Sequence, residues 1–320
     1  MGEALRKEVQ NISDEDLYAS QIAEALRAYL SATGKSQNEV SKAVGISAAA
    51  LSQFLSGSYL GDKMSLMQKI SGFLDLENQR ADTIKVPEFV MTSNAKAVIT
   101  AIEYAHIHND IALVYGEAGV GKTMAIEYYI KNHTDVIYIT ANPTISTPKG
   151  IVEEILDTLG KHQYGTLRRE MNFLVSILKG TGRLIIIDEA QHLNHRALEV
   201  LRSIYDQTKI GLVLCGNQEI HDRMYGRGEV AFAQFFSRIG IRRCLQGGVT
   251  QEDINLIFHG RLINPECKTY FQHVANLRGG LRYMVKLYML STTIAKSRKR
   301  ALDMDCIREA QKMLMGGDVI

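Results

Sequence analysis

At 320 residues the chain is long enough for two or three domains, each with its own core. A composition that is 46% hydrophobic and 22% charged, without a low-complexity tract, argues for a soluble globular protein and against a disordered one. The net charge of +2 does not by itself predict nucleic-acid binding, so any DNA affinity must come from local clusters. No apolar run approaches the roughly 20 residues of a membrane helix, and no basic-then-apolar leader opens the chain. A cytoplasmic protein with no membrane partner is expected. Cys215, Cys244, Cys267 and Cys306 are scattered, with neither a C-x-x-C pair nor a histidine at metal-ligand spacing, which predicts reduced thiols.

Residues 1–13 read as a short polar tail. From Ser20 to about Phe73 short helical patterns alternate with small-residue turns, and nothing reads as a strand. Within it, Ser36 to Gly57 has a helix-turn-helix layout. Val40, Val44, Ile46, Leu51 and Leu55 supply the core face, and Gly45 sits at the turn. The second helix would turn Ser47, Ala48, Ala49, Ser52 and Gln53 outward, toward a DNA groove. Lys35, Lys42 and Lys63 would touch phosphates. Few bidentate base readers lie on that face beyond Gln53, and the helix lacks Arg and Asn, so little sequence specificity is expected; a helical protein–protein module remains the alternative. The expected boundaries are 1–75 for this domain and 76–93 for a linker, whose polar part, Leu76–Glu88, carries Pro87, one of four prolines.

From Asn94 the pattern changes. Apolar runs at Ile111–Tyr115, Val136–Thr140, Leu184–Ile187 and Gly211–Cys215 alternate with amphipathic helical stretches, which predicts an α/β fold: a parallel sheet covered by helices over 94–248. The first run leads straight into Gly116-Glu117-Ala118-Gly119-Val120-Gly121-Lys122-Thr123 and then a helical pattern, a P-loop in its strand–loop–helix context. Its backbone N–H groups would cradle phosphates at a helix N-terminus. Lys122 would reach the β- and γ-phosphates of ATP, and Thr123 would hold Mg²⁺. The run Leu184–Ile187 ends in Asp188 and Glu189. A strand this apolar has no structural use for two carboxylates at its tip unless they face a ligand. Asp188 would hold Mg²⁺ and Glu189 would activate water as general base, making the chain an ATPase. After Gly248 only helical patterns remain, at Gln251–His259, Thr269–Ala275, Leu281–Lys296 and Met304–Met315, a C-terminal helical lid over 249–320.

This order of motifs resembles the AAA+ ATPases. The resemblance implies that Asn217, ending a buried run, is the sensor 1 residue. It makes Arg238, in Phe235-Phe-Ser-Arg-Ile239, the arginine finger, with Arg242 and Arg243 left as alternatives. It makes Arg282, after Gly279-Gly280, the sensor 2 residue. Within that superfamily the chain resembles the family of the phage Mu B transposition protein. The match runs through Phe54–Asp62, the P-loop, Ile187-Asp-Glu-Ala-Gln-His-Leu193, Ile210–Asn217 and Phe236–Ile239. It implies an ATP-dependent self-oligomer, a helical filament or ring, that coats double-stranded target DNA with little sequence preference and delivers it to a transposase. Lys149, Lys161, Arg168, Arg169, Arg223 and Arg227 would line its DNA channel, beside Ser47 and Gln53 of the N-terminal domain. A helicase-loader or replication-initiation ATPase, and a nucleotide-sensing helix-turn-helix regulator, share many of these features and remain open here.

Overall fold

The computed structural model describes residues 14–82, 89–225, 235, 237–245, 248–277 and 279–315. They fall into two compact units, Met1–Ile84 and Lys85–Ile320. The first unit is helical: α1 (Asp14–Thr33), α2 (Gln37–Val44), α3 (Ala48–Leu55) and α4 (Lys63–Asp82). Local chemistry sets the α2–α3 turn. Ser36 and Glu39 form a capping box at the start of α2, and Gly45 ends it at φ 76°, a left-handed conformation costly for residues with a Cβ. Ser47 then caps α3, its hydroxyl accepting from Ala50 N at 3.1 Å. Leu26, Val40, Leu51, Met67 and Ile70 are fully buried between the helices, and Val44 and Ile46 pack against them half-buried.

Residues 76–82, expected in the linker, continue α4 instead. Leu76–Asp82 contains no Gly or Pro to stop a helix, and Glu77 ties α4 back to α1 by accepting from the Tyr29 hydroxyl. That hydrogen bond, reinforced by Arg80 and Lys35, holds the Glu77 carboxyl down at about 2. Of the expected linker, residues 83–88 lie outside the described residues, as does the expected tail, 1–13.

In the second unit α5 (Ser93–His108), capped by Thr92, leads into β1 (Ile111–Gly116) and α6 (Lys122–Lys131). Next come β2 (Val136–Thr140), α7 (Pro148–Thr158), α8 (Leu167–Leu178), β3 (Leu184–Asp188), α9 (His195–Thr208), β4 (Gly211–Gly216), α10 (Gln218–Tyr225) and β5 (Ile239–Leu245). The strands lie in the order β2-β3-β4-β1-β5, all parallel. Alternate side chains feed two cores, as the pleat requires. Leu113, Ile187 and Leu214 enter one; Val114, Ile186 and Val213 enter the other. Helices α11 (Gln251–Ile257), α12 (Pro265–Ala275), α13 (Gly280–Ser297) and α14 (Met304–Met315) follow. Phe258, Phe271 and Tyr288 interlock at their centre, with ring centroids 5.0–5.6 Å apart.

Strand β5 was hidden in the sequence. Its run Ile-Gly-Ile-Arg-Arg-Cys-Leu exposes Gly240, Arg242, Arg243 and Cys244. An edge strand paired only with β1 needs no continuous apolar run. Among the described residues no helix is long and apolar enough to cross a membrane.

Candidate functional site

Five parallel strands bring their C-terminal ends to one edge, and β4 lies between β1 and β3. The tip of β1 is Gly116, where a Cβ would stand 2.3 Å from the Leu245 carbonyl, so the close β1–β5 approach requires glycine. The loop then turns through Gly119 (φ 87°) and Gly121 (φ 99°), both left-handed, while Val120 anchors it in the core. Gly121 opens α6 with no side-chain cap, leaving the first N–H groups of that helix and its partial positive charge directed at the loop. Lys122, 8% exposed, folds over the loop and donates to the carbonyls of Gly116 and Glu117, each at 2.8 Å. Ala118 lines the same cradle.

Asp188, at the tip of β3, is 1% exposed. Its Oδ2 accepts from Thr123 Oγ1 at 2.8 Å and from the Tyr138 hydroxyl at 3.5 Å, and its Oδ1 from Glu189 N at 2.9 Å. A threonine hydroxyl and a carboxylate held this close are the hard oxygen donors that Mg²⁺ takes. Among the described residues no group of three or more His, Cys, Asp or Glu forms a metal site, so a cation here would rely on these two residues and phosphate oxygens. Cys215, on β4 beside Asp188, is fully buried, and burial first, then the Asp188 charge, pushes its thiol well above the usual range.

Glu189 adopts φ 52°, an uncommon left-handed conformation for a non-glycine residue. Its side chain accepts from Gln191 Nε2, and Gln191 Oε1 accepts from Asn217 N at 3.2 Å. Asn217 Oδ1 accepts from Glu219 N at 2.9 Å at the start of α10, and its amide nitrogen has no partner among the hydrogen bonds described.

A cavity of about 490 Å³ opens against the P-loop and Glu189. The P-loop, Lys122, Thr123 and Glu189 line one side; Phe89, Val90, Ile257, Leu281 and Val285 form an apolar side, and Arg282 also lines the cavity. Phe89 stacks on Tyr128 at 4.2 Å between centroids. Gly279 comes so near the P-loop that a Cβ on Gly119 would meet its carbonyl at 2.4 Å. The apolar residues had no signal in the sequence, because three segments far apart in the chain build that side. Gln191 sat in plain view within Asp-Glu-Ala-Gln, and only its partners reveal what it does.

Arg238 is not in this cavity. It precedes β5 at the opposite edge of the sheet, beside the start of β1, and its Nε donates to Asp206 at 2.7 Å. Arg242 and Arg243 lie exposed along β5. The residues expected to contact DNA separate into groups. Lys161, Arg168 and Arg169 are exposed on the α7–α8 connection and the first turn of α8, and Gln53 is exposed on α3. Lys149 instead faces Glu153 at 3.4 Å and Glu170 at 3.9 Å. Arg223 donates to the carbonyls of Gln191 and Leu193 at 2.6 and 3.1 Å, and the Ser47 hydroxyl accepts from Ala50 N as its helix cap. For these three the structure supplies a structural partner where DNA was expected. Arg227 lies outside the described residues.

A phosphate cradle and an acidic strand tip arranged this way on a five-stranded parallel sheet with a helical C-terminal region belong to the AAA-type ATPases, and a family model described as an AAA domain matches residues 106–224. The chain is 32% identical over 272 residues to the Mu-like prophage FluMu DNA transposition protein B of Haemophilus influenzae, covering 82% of this chain and 93% of that protein. It is also 32% identical to the ATP-dependent target DNA activator B of Escherichia phage Mu, over 84% of this chain and 87% of the relative. The chain therefore belongs to the Mu transposition protein B family. A variant of Thermotoga maritima RuvB is a more distant structural neighbour, with a TM-score of 0.47 and 19% identity over 72% of this chain and 73% of that one.

Proposed function

We propose that the chain binds ATP with Mg²⁺, hydrolyses it to ADP and phosphate, oligomerises on double-stranded DNA in the cytoplasm, and presents that DNA to a transposase. The observation that carries the nucleotide chemistry is the 2.8 Å contact between Thr123 and Asp188, with Lys122 and Glu189 on the same cavity. The DNA and transposition parts rest on family membership, since the phage Mu relative is named a target DNA activator.

In this reading the uncapped N–H groups of α6 and the Lys122 ammonium hold the phosphates. Lys122 exchanges two carbonyl partners for phosphate oxygens, a stronger charge-assisted pairing. Thr123 and Asp188 hold Mg²⁺, which neutralises charge on the phosphate oxygens. The apolar side of the cavity takes the adenine, with Phe89 and Leu281 against it. Glu189 takes the proton of the attacking water, Asn217 orients that water with its free amide nitrogen, and Arg282 meets the γ-phosphate from the lid side. Arg238 lies a full strand length from its own P-loop, so it serves as the finger only for a neighbouring subunit of a filament or ring. The N-terminal helices and the exposed Lys161, Arg168 and Arg169 contact the DNA backbone, with Gln53 toward a groove.

Replacing Glu189 by Gln keeps shape and hydrogen bonding but removes the base. ATP affinity should persist while turnover falls by about 10²–10⁴-fold, and the ATP-locked protein should stay on DNA longer. Parent-like turnover would move the base elsewhere.

A further inference from the structure

Gln191 is a buried carboxamide, 8% exposed, with a role that nothing in the P-loop chemistry requires. Both of its polar atoms are engaged, as burial demands. Its Oε1 accepts from the backbone N–H of Asn217 at 3.2 Å. A backbone amide can only donate, which fixes the oxygen toward β4 and leaves Nε2 to donate to the Glu189 carboxylate. The chain makes room for this bridge. Strand β4 ends in Gly216, where a Cβ would stand 2.5 Å from Gln191 Oε1. The backbone at Gln191 is pinned as well, because Arg223 of α10 donates to its carbonyl at 2.6 Å. On the other side of α10, His221 stacks on Tyr115, one residue before the P-loop, at 4.4 Å between centroids. One short helix is thus joined to the phosphate cradle and, through Gln191, to the acidic strand tip.

We propose that Gln191 is a positioning residue for ATP hydrolysis: its carboxamide ties the Glu189 carboxylate to the tip of β4, so the Asn217 turn sets where the base points. The inference rests on Glu189 being the general base. Glu189 needs such a tether, since it leaves β3 in a left-handed conformation and its side chain accepts from Gln191 alone among the hydrogen bonds described. A base displaced by about 1 Å from its water costs up to 10²-fold in rate.

Three variants and a control separate the possibilities. Gln191→Ala removes both bonds. Gln191→Glu keeps an acceptor for Asn217 N–H but withdraws the donor to Glu189. Gly216→Ala leaves Gln191 in the chain and sets a Cβ 2.5 Å from the end of its flexible side chain, with Ile220 Cγ2 the next neighbour at 3.2 Å. All three should remain folded, with Gln191→Ala melting lower than the parent because a buried N–H loses its acceptor, and should keep the ATP KM within about twofold while losing about 10- to 100-fold in kcat. In a Glu189→Gln background Gln191→Ala should cost nothing further in turnover, the non-additivity of residues acting through one group. Folded variants with parent kcat, or with KM raised in step with any loss, would overturn the proposal. So would a Gln191→Glu protein indistinguishable from the parent, which would leave only the tie to Asn217 of consequence. Fast turnover by Glu189→Gln alone would instead reject the general-base reading on which the proposal stands.

Discussion

The strand tips and the α7–α8 helices use the same kinds of side chain to different ends. At the tips, Asp188 (1% exposed) and Lys122 (8%) are held by buried strands and a glycine loop, and the partner of Asp188 lies 65 residues away in the chain. On the helices, Lys149 and Glu153 are about half exposed and pair four residues apart, with only the buried Glu170 drawn from the neighbouring helix. An exposed i,i+4 pair contributes about 0.3–0.5 kcal/mol, whereas removing one partner of a buried polar pair costs about 1–3 kcal/mol or more. A charge on an apolar strand end is therefore a statement about a ligand. A charge on an amphipathic helix is first a statement about its neighbours.

The largest expected effect tests whether the strand-tip site is complete within one chain. Arg238 stands at the far edge of the sheet, paired with Asp206. If a neighbouring subunit supplies it, Arg238→Ala should bind ATP yet lose about 10³–10⁵ in turnover. Lys122→Ala should fail in the complementary way, with a defective pocket and an intact finger. Mixing the two inactive proteins should restore part of the activity, in proportion to protein and DNA concentration. Mixed oligomers without recovery, when Arg242→Ala or Arg243→Ala mixtures do recover, would transfer the finger to those residues.

A smaller effect tests the rigidity of the cradle. Gly119 needs its left-handed backbone, and an added Cβ would meet the backbone oxygen of Gly279 at 2.4 Å, a clash no rotamer relieves. Gly119→Ala should therefore push the start of α13 off the P-loop. At about 1–3 kcal/mol of strain, ATP affinity should weaken roughly 5- to 150-fold in a titration with a fluorescent nucleotide. Gly160, between α7 and α8, shares the positive φ but has open space around it. Gly160→Ala should lower stability by about 1 kcal/mol and leave nucleotide affinity alone.

The same division explains what was legible in the sequence. Four strands, the P-loop and the Asp188–Glu189 tip were readable because continuous apolar runs and glycines at fixed spacing have few other uses. Strand β5 was not, since an edge strand carrying Arg242 and Arg243 has no such run. The extension of α4 over 76–82 has no signal of its own, because a polar stretch reads as a linker where helix-compatible residues and the Tyr29–Glu77 bond decide. The apolar side of the cavity was invisible because Phe89, Ile257 and Leu281 come together only in the fold. The bridge through Gln191 depends on Gly216 and Asn217, 25 and 26 residues farther along, and no spacing rule connects them.

The finest test asks which helix charges meet DNA at all. A phosphate contact releases counterions, so losing one flattens the slope of log affinity against log salt by about 0.9 per contact, whatever the DNA sequence. Lys161, Arg168 and Arg169 are exposed on one loop and the helix turn after it, and Arg168→Ala or Arg169→Ala should each flatten the slope by about that amount in ATP-bound protein. Lys149→Ala should not, because its ammonium already faces Glu153 and Glu170. Arg223→Ala should also keep the slope and lose about 1–3 kcal/mol of stability instead, as the Gln191 and Leu193 carbonyls lose their donor. Measuring slope and unfolding midpoint on the same preparations keeps the two outcomes apart. If Lys149→Ala flattens the slope as much as Arg168→Ala does, local pairing on α7 yields to phosphate when DNA arrives. The contrast between strand-tip and helix charges would then hold only for the free protein.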